Sequence, residues 1–337
     1  MWKAILYTVG VVILSLSAAA GAAFTVVTRD PEGRLDLERL AYAPETISKP
    51  ILMRLQPHNA LLLGSSRVME IEPEAVHGVQ AFNAGFGGAT PERIRDFLTA
   101  YAEPGTVVVL AFDFFMMNEA NTPLEPNYFE SSGRDSTLLA LAGDRLLRTP
   151  QQHQVLEQRE YVFNLGTLAR ALAGQTPGPP EGREPHPLIH LDGQIYNEDK
   201  LAYNALCVDN PPGCAGVYQQ LYDQAVQGHF GRYVYSEQRV HTFREIRRLL
   251  SERRLPYVVL IAPEHRDFLP VLGRADLAPQ WARFRSDVSA SFENVCDFSD
   301  GSFADPSLYY TFDPFHYLPE TGALMVNQCL QRHGVGS

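Results

Sequence analysis

The chain has 337 residues, of which 45% are hydrophobic, and a formal net charge of −11 at pH 7. This length is enough for one large α/β domain with an inserted subdomain. The acidic balance speaks against nucleic-acid binding, because neutralising phosphates requires a basic face.

The first long stretch of the chain, residues 4–28, carries no charged side chain. As a helix it would span roughly 37 Å, enough to cross a hydrocarbon core of about 30 Å. A cleaved signal peptide would use the small residues 18–23 as its cleavage region. The apolar run continues to Val27, however, which favours an uncleaved anchor. We therefore predict an anchor over 1–28, a juxtamembrane connector over 29–57, and a soluble domain in the periplasm or another extracytoplasmic space.

From residue 58 onward, short apolar runs alternate with helical periodicity, which predicts a parallel sheet with right-handed crossovers. The predicted strands are 60–63, 79–82, 106–112, 257–262 and 294–298. The predicted helices are 91–102, 135–147, 151–173, 236–253, 278–290 and 319–330. Prolines interrupt residues 174–235 and indicate a loop-rich insertion. We expect residues 58–173 and 236–337 to form a three-layer α/β/α domain with a mostly parallel central sheet.

Two hydroxyl groups, those of Ser65 and Ser66, follow the first predicted strand directly after Gly64. Ligands of open α/β sheets bind outside the carboxyl ends of the strands, so these serines lie where chemistry is expected. Either serine could instead cap the helix that follows.

Asp313 and His316 lie in the loop before the last predicted helix. An aspartate three residues ahead of a histidine can accept the Nδ1 proton and leave Nε2 to act as a general base. Serine is a weak nucleophile until such a base takes its proton. The sequence therefore predicts a triad of Ser66, His316 and Asp313, if the fold brings the last loop beside the first strand. A structural histidine is the alternative for His316 alone.

The order and spacing of these motifs resemble the SGNH (GDSL-type) hydrolase superfamily. Its first, second and last sequence blocks have counterparts in Gly64-Ser65-Ser66, in Asn83-x-x-x-x-Gly88-x-Thr90 and in Asp313-x-x-His316. The resemblance implies a flavodoxin-like α/β/α fold, Ser66 as nucleophile, and an oxyanion hole formed by the N–H groups of Ser66 and Gly88. The serine pair, the predicted anchor and the order Ser, Asp, His are similar to those of membrane-anchored members in cell-envelope acylation systems.

The resemblance also implies a function. It implies acyl-ester chemistry through an acyl-serine intermediate, by an O-acyltransferase or an esterase acting on an envelope or exported polysaccharide. It implies no cofactor and no metal, and a membrane-bound acyl-donor protein as a partner. The alternative is a catalytically inactive SGNH-like scaffold in a polysaccharide export or modification assembly.

One residue departs from the family pattern. The third block normally supplies an asparagine to the oxyanion hole, and Asp113 stands in that place. An ionised carboxylate there would oppose the developing negative charge. Either burial keeps Asp113 protonated, or it points elsewhere, or it orients another group, and Asn118 is a substitute donor. This departure favours the scaffold alternative.

Three further residues are candidates for the pocket. Arg67 could bind an acidic group of the substrate or form a salt bridge. His265 follows the strand predicted at 257–262, so it either lines the pocket at the same sheet edge as Ser66 or belongs to a surface loop. Asn83 is a candidate through the second block of the family.

The four cysteines suit two disulfides in an oxidising compartment. Cys207 and Cys214 flank a turn-rich loop, whereas Cys296 and Cys329 lie near the last predicted strand and helix. Free buried thiols are the alternative. None of the spacings resembles a zinc site.

Overall fold

The computed structural model describes residues 49–50, 52–53, 56–121, 194 and 198–336. These residues belong to one compact unit, formed by Lys49–Glu125 and His190–Ser337. The predicted anchor lies outside the described residues, as do the helices predicted at 135–147 and 151–173. In the described part of the chain, no helix is both long enough and apolar enough to cross a membrane.

A five-stranded parallel sheet forms the centre of the unit, in the order β2-β1-β3-β4-β5. The strands are β1 (Ala60–Leu63), β2 (Ala81–Asn83), β3 (Val107–Phe112), β4 (Tyr257–Ile261) and β5 (Val295–Asp297). This order confirms the predicted parallel sheet. Because strand addition reverses direction between β1 and β3, a crevice opens at the carboxyl ends of these two strands.

The helices connect the strands and flank the sheet. They are α1 (Ser66–Met69), α2 (Pro91–Tyr101), α3 (Glu198–Asp209), α4 (Pro211–Gly228), α5 (Glu237–Glu252), α6 (Leu269–Leu272), α7 (Ala278–Ser291) and α8 (Pro319–His333). A short antiparallel pair, β6 (Tyr309–Tyr310) and β7 (Asp313–Tyr317), precedes α8.

Helices cover both faces of the sheet and give the fold its three layers. On one face, Val109 and Leu260 share a core with Val326 of α8. On the other face, Phe112 packs against Phe243 of α5, with ring centres 4.6 Å apart. Since both faces are covered, every residue of β1, β3 and β4 is buried. Continuous runs of Leu and Val are typical of such strands.

Two segments differ from the sequence expectation. The insertion predicted to be loop-rich contains the helices α3 and α4, and Pro211 takes the first position of α4, where a missing N–H costs nothing. The proline-rich residues 177–187 lie outside the described residues. Asp313 and His316, predicted in a loop, lie on β7 instead, because Tyr309 and Tyr317 pair across the two short strands.

All four cysteines form disulfides, which confirms the expectation of two bridges over that of free buried thiols. The Cys207–Cys214 bridge joins α3 to α4 across the turn between them. The Cys296–Cys329 bridge ties β5 to α8 inside the core.

Replacing Cys296 and Cys329 with alanine should destabilise the protein more than replacing Cys207 and Cys214. The Cys296–Cys329 bridge spans 33 residues, whereas the Cys207–Cys214 bridge spans only 7. Opening the longer loop gives the unfolded chain more conformational entropy, and the resulting loss in the free energy of unfolding is larger by roughly 1 kcal/mol. Urea denaturation of the two double variants measures the difference, and an equal or reversed ranking would contradict the expectation.

Candidate active site

The turn after β1 lies at the crevice between the ends of β1 and β3. Gly64 begins this turn and has no room for a side chain, because an added Cβ would lie 2.9 Å from the carbonyl oxygen of Ala111. Glycine at this position therefore lets the chain pass close to β3 and enter α1 directly.

The two serines of the turn have different partners. Ser65 is buried and caps α1, since its Oγ accepts a hydrogen bond from the N–H of Arg67 at 3.2 Å. The same hydroxyl donates to Oδ2 of Asp113 at 2.5 Å. Ser66 is partly exposed, and its Oγ lies 2.9 Å from Nε2 of His316. Ser65 is thus the cap, and Ser66 faces the histidine.

His316 lies between Ser66 and Asp313, as the triad requires. Its Nδ1 lies 2.8 Å from Oδ2 of Asp313, whose Oδ1 accepts the N–H of Phe315 at 3.0 Å. Burial alone would raise the pKa of Asp313, but His316, Lys200 and that N–H together hold it below its usual range. Because the ionised Asp313 accepts the Nδ1 proton, Nε2 presents a lone pair to Ser66.

Lys200 of α3 is a neighbour of this arrangement that the sequence did not reveal. Its Nζ lies 3.4 Å from Oδ2 of Asp313 and also donates to Oε1 of Glu70. Tyr310 supports the pair, since its ring centre lies 4.3 Å from Nζ and its hydroxyl donates to Glu70 at 2.9 Å. The positive charge of Lys200 favours the ionised form of Asp313. No motif marks Lys200, because it belongs to the segment expected to form loops.

The loop after β2 lies beside the serine turn. Its Phe86 donates an N–H to the carbonyl of Gly64 at 3.0 Å. Two residues later, Gly88 adopts a φ of 62°, which glycine tolerates best. Within the described ranges, neither the N–H of Ser66 nor that of Gly88 donates to a protein acceptor. Both groups are therefore available to a ligand at this edge.

Arg67 is fully buried beneath the serine turn. Its guanidinium donates to Oδ1 of Asp113 at 3.1 Å, to the carbonyl of Pro263 at 2.9 Å and to Oε2 of Glu264 at 2.7 Å. Its Cζ lies 4.3 Å from the ring centre of Phe315 on β7. Arg67 thus joins the ends of β1, β3 and β4 to the strand that carries the histidine.

One guanidinium therefore serves two buried carboxyl groups. Burial raises the pKa of both Asp113 and Glu264, against the pull of Arg67. Burial alone would lower the pKa of Arg67, but the two carboxyl groups outweigh it and raise that pKa above its ordinary value. Arg67 stays charged wherever the protein is folded.

No model of a known protein family matches this chain, and no curated protein matches its sequence.

The structure resolves the sequence alternatives for Asp113 and Arg67. Asp113 orients other groups, namely Ser65 and Arg67, and its two oxygens are engaged by them. Arg67 has no exposed surface, so the salt bridge is the observed role and contact with a substrate is not.

The two candidate asparagines hold loops in place. Asn83 donates to two backbone carbonyls at the end of α1, each at 2.8 Å, and accepts the N–H of Gly85 at 3.1 Å. Asn118 donates to the carbonyl of His229 at 3.0 Å and accepts the N–H of Val234 at 3.1 Å. Both side chains are fully buried, so neither amide is free to serve a ligand beside Ser66.

Two histidines near the triad are neutral at pH 7. His265 is buried and accepts the N–H of Asp267 at Nδ1, and burial lowers its pKa. His229 follows α4 and stacks on Phe315, with ring centres 4.8 Å apart. Burial and the nearby charges of Arg67 and the triad histidine lower the pKa of His229 to about 4. No sequence motif marks His229, which lies in the segment predicted to form loops.

In the part of the chain that the structure describes, one group of side chains that could ligate a metal lies close together: Cys296, Cys329 and His333. The two sulfurs are joined in a disulfide, so they offer no thiolate to a metal.

Replacing Arg67 with methionine should destabilise the protein by about 3–5 kcal/mol, because two buried carboxyl groups lose their shared cation. Urea denaturation followed by circular dichroism measures the change. Arg248→Met is the matched control, since Arg248 pairs with Glu252 on the surface of α5 at 3.6 Å and both side chains are mostly exposed. Equal stability of the two variants would refute the expectation.

Proposed function

We propose that this protein is a serine-dependent acyl-ester enzyme, an O-acyltransferase or esterase that forms an acyl-serine intermediate on Ser66. The observation that carries the proposal is the unbroken hydrogen-bond chain from Ser66 Oγ to His316 Nε2, at 2.9 Å, and from His316 Nδ1 to Asp313, at 2.8 Å. A serine joined to a base, with the base oriented by a carboxylate, is the arrangement that activates a hydroxyl for attack.

The chemistry follows from this chain. Ser66 Oγ attacks the carbonyl carbon of an ester while its proton passes to Nε2 of His316. Asp313 holds the Nδ1 proton and stabilises the imidazolium that forms. When the tetrahedral species collapses, His316 returns the proton to the leaving alcohol and the acyl group stays on Ser66. Water or a second hydroxyl then attacks the acyl-serine with His316 again as base.

The N–H groups of Ser66 and Gly88 supply the donors for the oxyanion. Their support is that neither N–H group has a partner among the described residues and that both belong to two loops held side by side through Gly64 and Phe86. Such donors stabilise charge that develops only during the reaction. Asp113 does not oppose them, since its carboxylate is engaged by Arg67 and Ser65. The inactive scaffold keeps one argument as the alternative, since neither Asp113 nor Asn118 offers a free third donor.

The substrate class rests on the resemblance to membrane-anchored SGNH members. It is an envelope or exported polysaccharide, with a membrane-bound protein as acyl donor and the soluble domain held in the periplasm by the anchor predicted at residues 1–28. Two disulfides fit such an oxidising compartment. Hydrolysis and transfer differ only in which nucleophile reaches the acyl-serine.

Ser66 should react with a fluorophosphonate probe, because an activated serine attacks phosphorus as it attacks an ester carbonyl. Ser66→Ala should abolish both labelling and hydrolysis of p-nitrophenyl acetate. Ser65→Ala is the control: it should keep the label while losing roughly 0.5–2 kcal/mol of stability with the helix cap. Mass spectrometry locates the label, and labelling at Ser65, or labelling that persists in Ser66→Ala, would overturn the assignment.

Asp313→Asn should keep the fold and lose activity. The amide favours the wrong tautomer of His316, which then presents N–H to Ser66; in another serine-hydrolase fold this change costs about 10⁴-fold in kcat. The measurement is the ester-hydrolysis rate beside a thermal melt. Asp276→Asn, which alters an exposed carboxylate paired with Arg274, should leave the rate unchanged. Full activity in folded Asp313→Asn protein would exclude the triad.

A further inference from the structure

A cavity of about 390 Å³ that is open to solvent lies between α4 and the chain that follows β4, and four of the six residues that line it are exposed. Ligand pockets in proteins typically measure roughly 300–1,000 Å³, so this cavity is large enough for a small ligand unit. It contains none of the residues that the sequence proposed for catalysis or binding. Its lining is formed by Tyr218, Gln219, Tyr222, Arg266, Asp267 and Pro270.

The walls of the cavity are fastened to each other. The hydroxyl of Tyr218 donates to the carboxylate of Asp267, and the hydroxyl of Tyr222 donates to its carbonyl oxygen at 3.3 Å. The ring of Tyr222 stacks on that of Phe268, with centres 5.1 Å apart and planes 16° from parallel. Because contacts with Asp267 and Phe268 already order both tyrosine rings, a ligand would lose little affinity to ordering them on binding.

A chain of contacts connects the cavity with the triad. The N–H of Asp267 donates to His265, whose ring lies edge-on to Tyr309 with centres 4.9 Å apart. Tyr309 pairs with Tyr317, the neighbour of His316 on β7. The helix α4 also packs against β7 directly. The helix that forms one side of the cavity therefore also packs on the strand that carries the catalytic base.

The chemistry of the lining suits a neutral sugar. Tyrosine rings offer flat apolar faces for the C–H groups of a pyranose. The planar groups of Gln219, Arg266 and Asp267 offer donors and acceptors for hydroxyl groups. The charges of Arg266 and Asp267 cancel, which favours a neutral ring over an anionic one.

We propose that this cavity binds a neutral sugar residue of the glycan chain whose ester reacts at Ser66. The inference rests on the proposed function and adds a subsite to it. The subsite binds the chain beside the reacting ester, so it is needed for oligosaccharide esters and is left empty by small ones.

The experiment compares two esters with the full-length protein. The small ester is p-nitrophenyl acetate, and the long ones are O-acetylated hexasaccharides of xylose, mannose and glucose. Tyr222→Ala should raise KM for the hexasaccharide that is turned over by roughly tenfold, as expected for the loss of one ring contact. Gln219→Ala should raise it by a smaller factor. Neither change should alter kcat/KM for the small ester.

Gln220→Ala is the matched control, because Gln220 is the exposed neighbour of Gln219 on α4 and does not line the cavity. Unchanged KM for the hexasaccharide in Tyr222→Ala and Gln219→Ala would overturn the subsite. So would hydrolysis of the small ester with no hexasaccharide turned over, or an equal loss on both esters. No hydrolysis of either ester would instead count against the proposed function.

Discussion

One buried cation, Arg67, sets the geometry of the fold at the edge where Ser66 meets His316. Taking a guanidinium out of water is costly unless all its charge is met by well-placed acceptors. Here the acceptors come from the ends of β3 and β4, while Phe315 covers the flat face of the group. These contacts form only if β1, β3, β4 and β7 place their residues at matching positions around the guanidinium. Arg67 follows Ser66 in sequence, so the same constraint fixes where Ser66 lies relative to β7.

The charges around the site fall into two layers. The deeper layer joins Arg67 to two acids and contacts no solvent. The upper layer joins Lys200 to Glu70 and Asp313, and it reaches the partly exposed triad. The deeper layer supports the backbone, and the upper layer keeps the triad carboxylate ionised. Mutations in the deeper layer therefore affect the stability of the backbone, whereas mutations in the upper layer affect the ionisation of Asp313.

The sequence predicted the sheet because its strands are short runs of Leu and Val between glycines and prolines, a local signal. It predicted a triad of Ser66, Asp313 and His316 from the Asp-x-x-His spacing and the serine after the first strand, on the condition that the last loop lies beside that strand; the antiparallel pair of β6 and β7 that brings them together was not foreseen. It missed Lys200 and His229, since helix α3 has a weak apolar pattern and a lone Lys or His carries no spacing to recognise. It left the role of Asp113 undecided, because only the fold reveals that Arg67 and Ser65 donate hydrogen bonds to its two oxygens.

The Cys207–Cys214 bridge makes one part of the site sensitive to the redox state of its surroundings. It fastens α3, which delivers Lys200, to α4, which packs on β7, and its sulfurs lie in a small core with Tyr310 and Phe312. In the reducing cytosol this pair would stay open, and the hairpin would lack its cross-link while the central sheet could already form. The helix pair that carries Lys200 gains its cross-link only under oxidising conditions, so the hold on Lys200 beside Asp313 depends on the redox state around the protein.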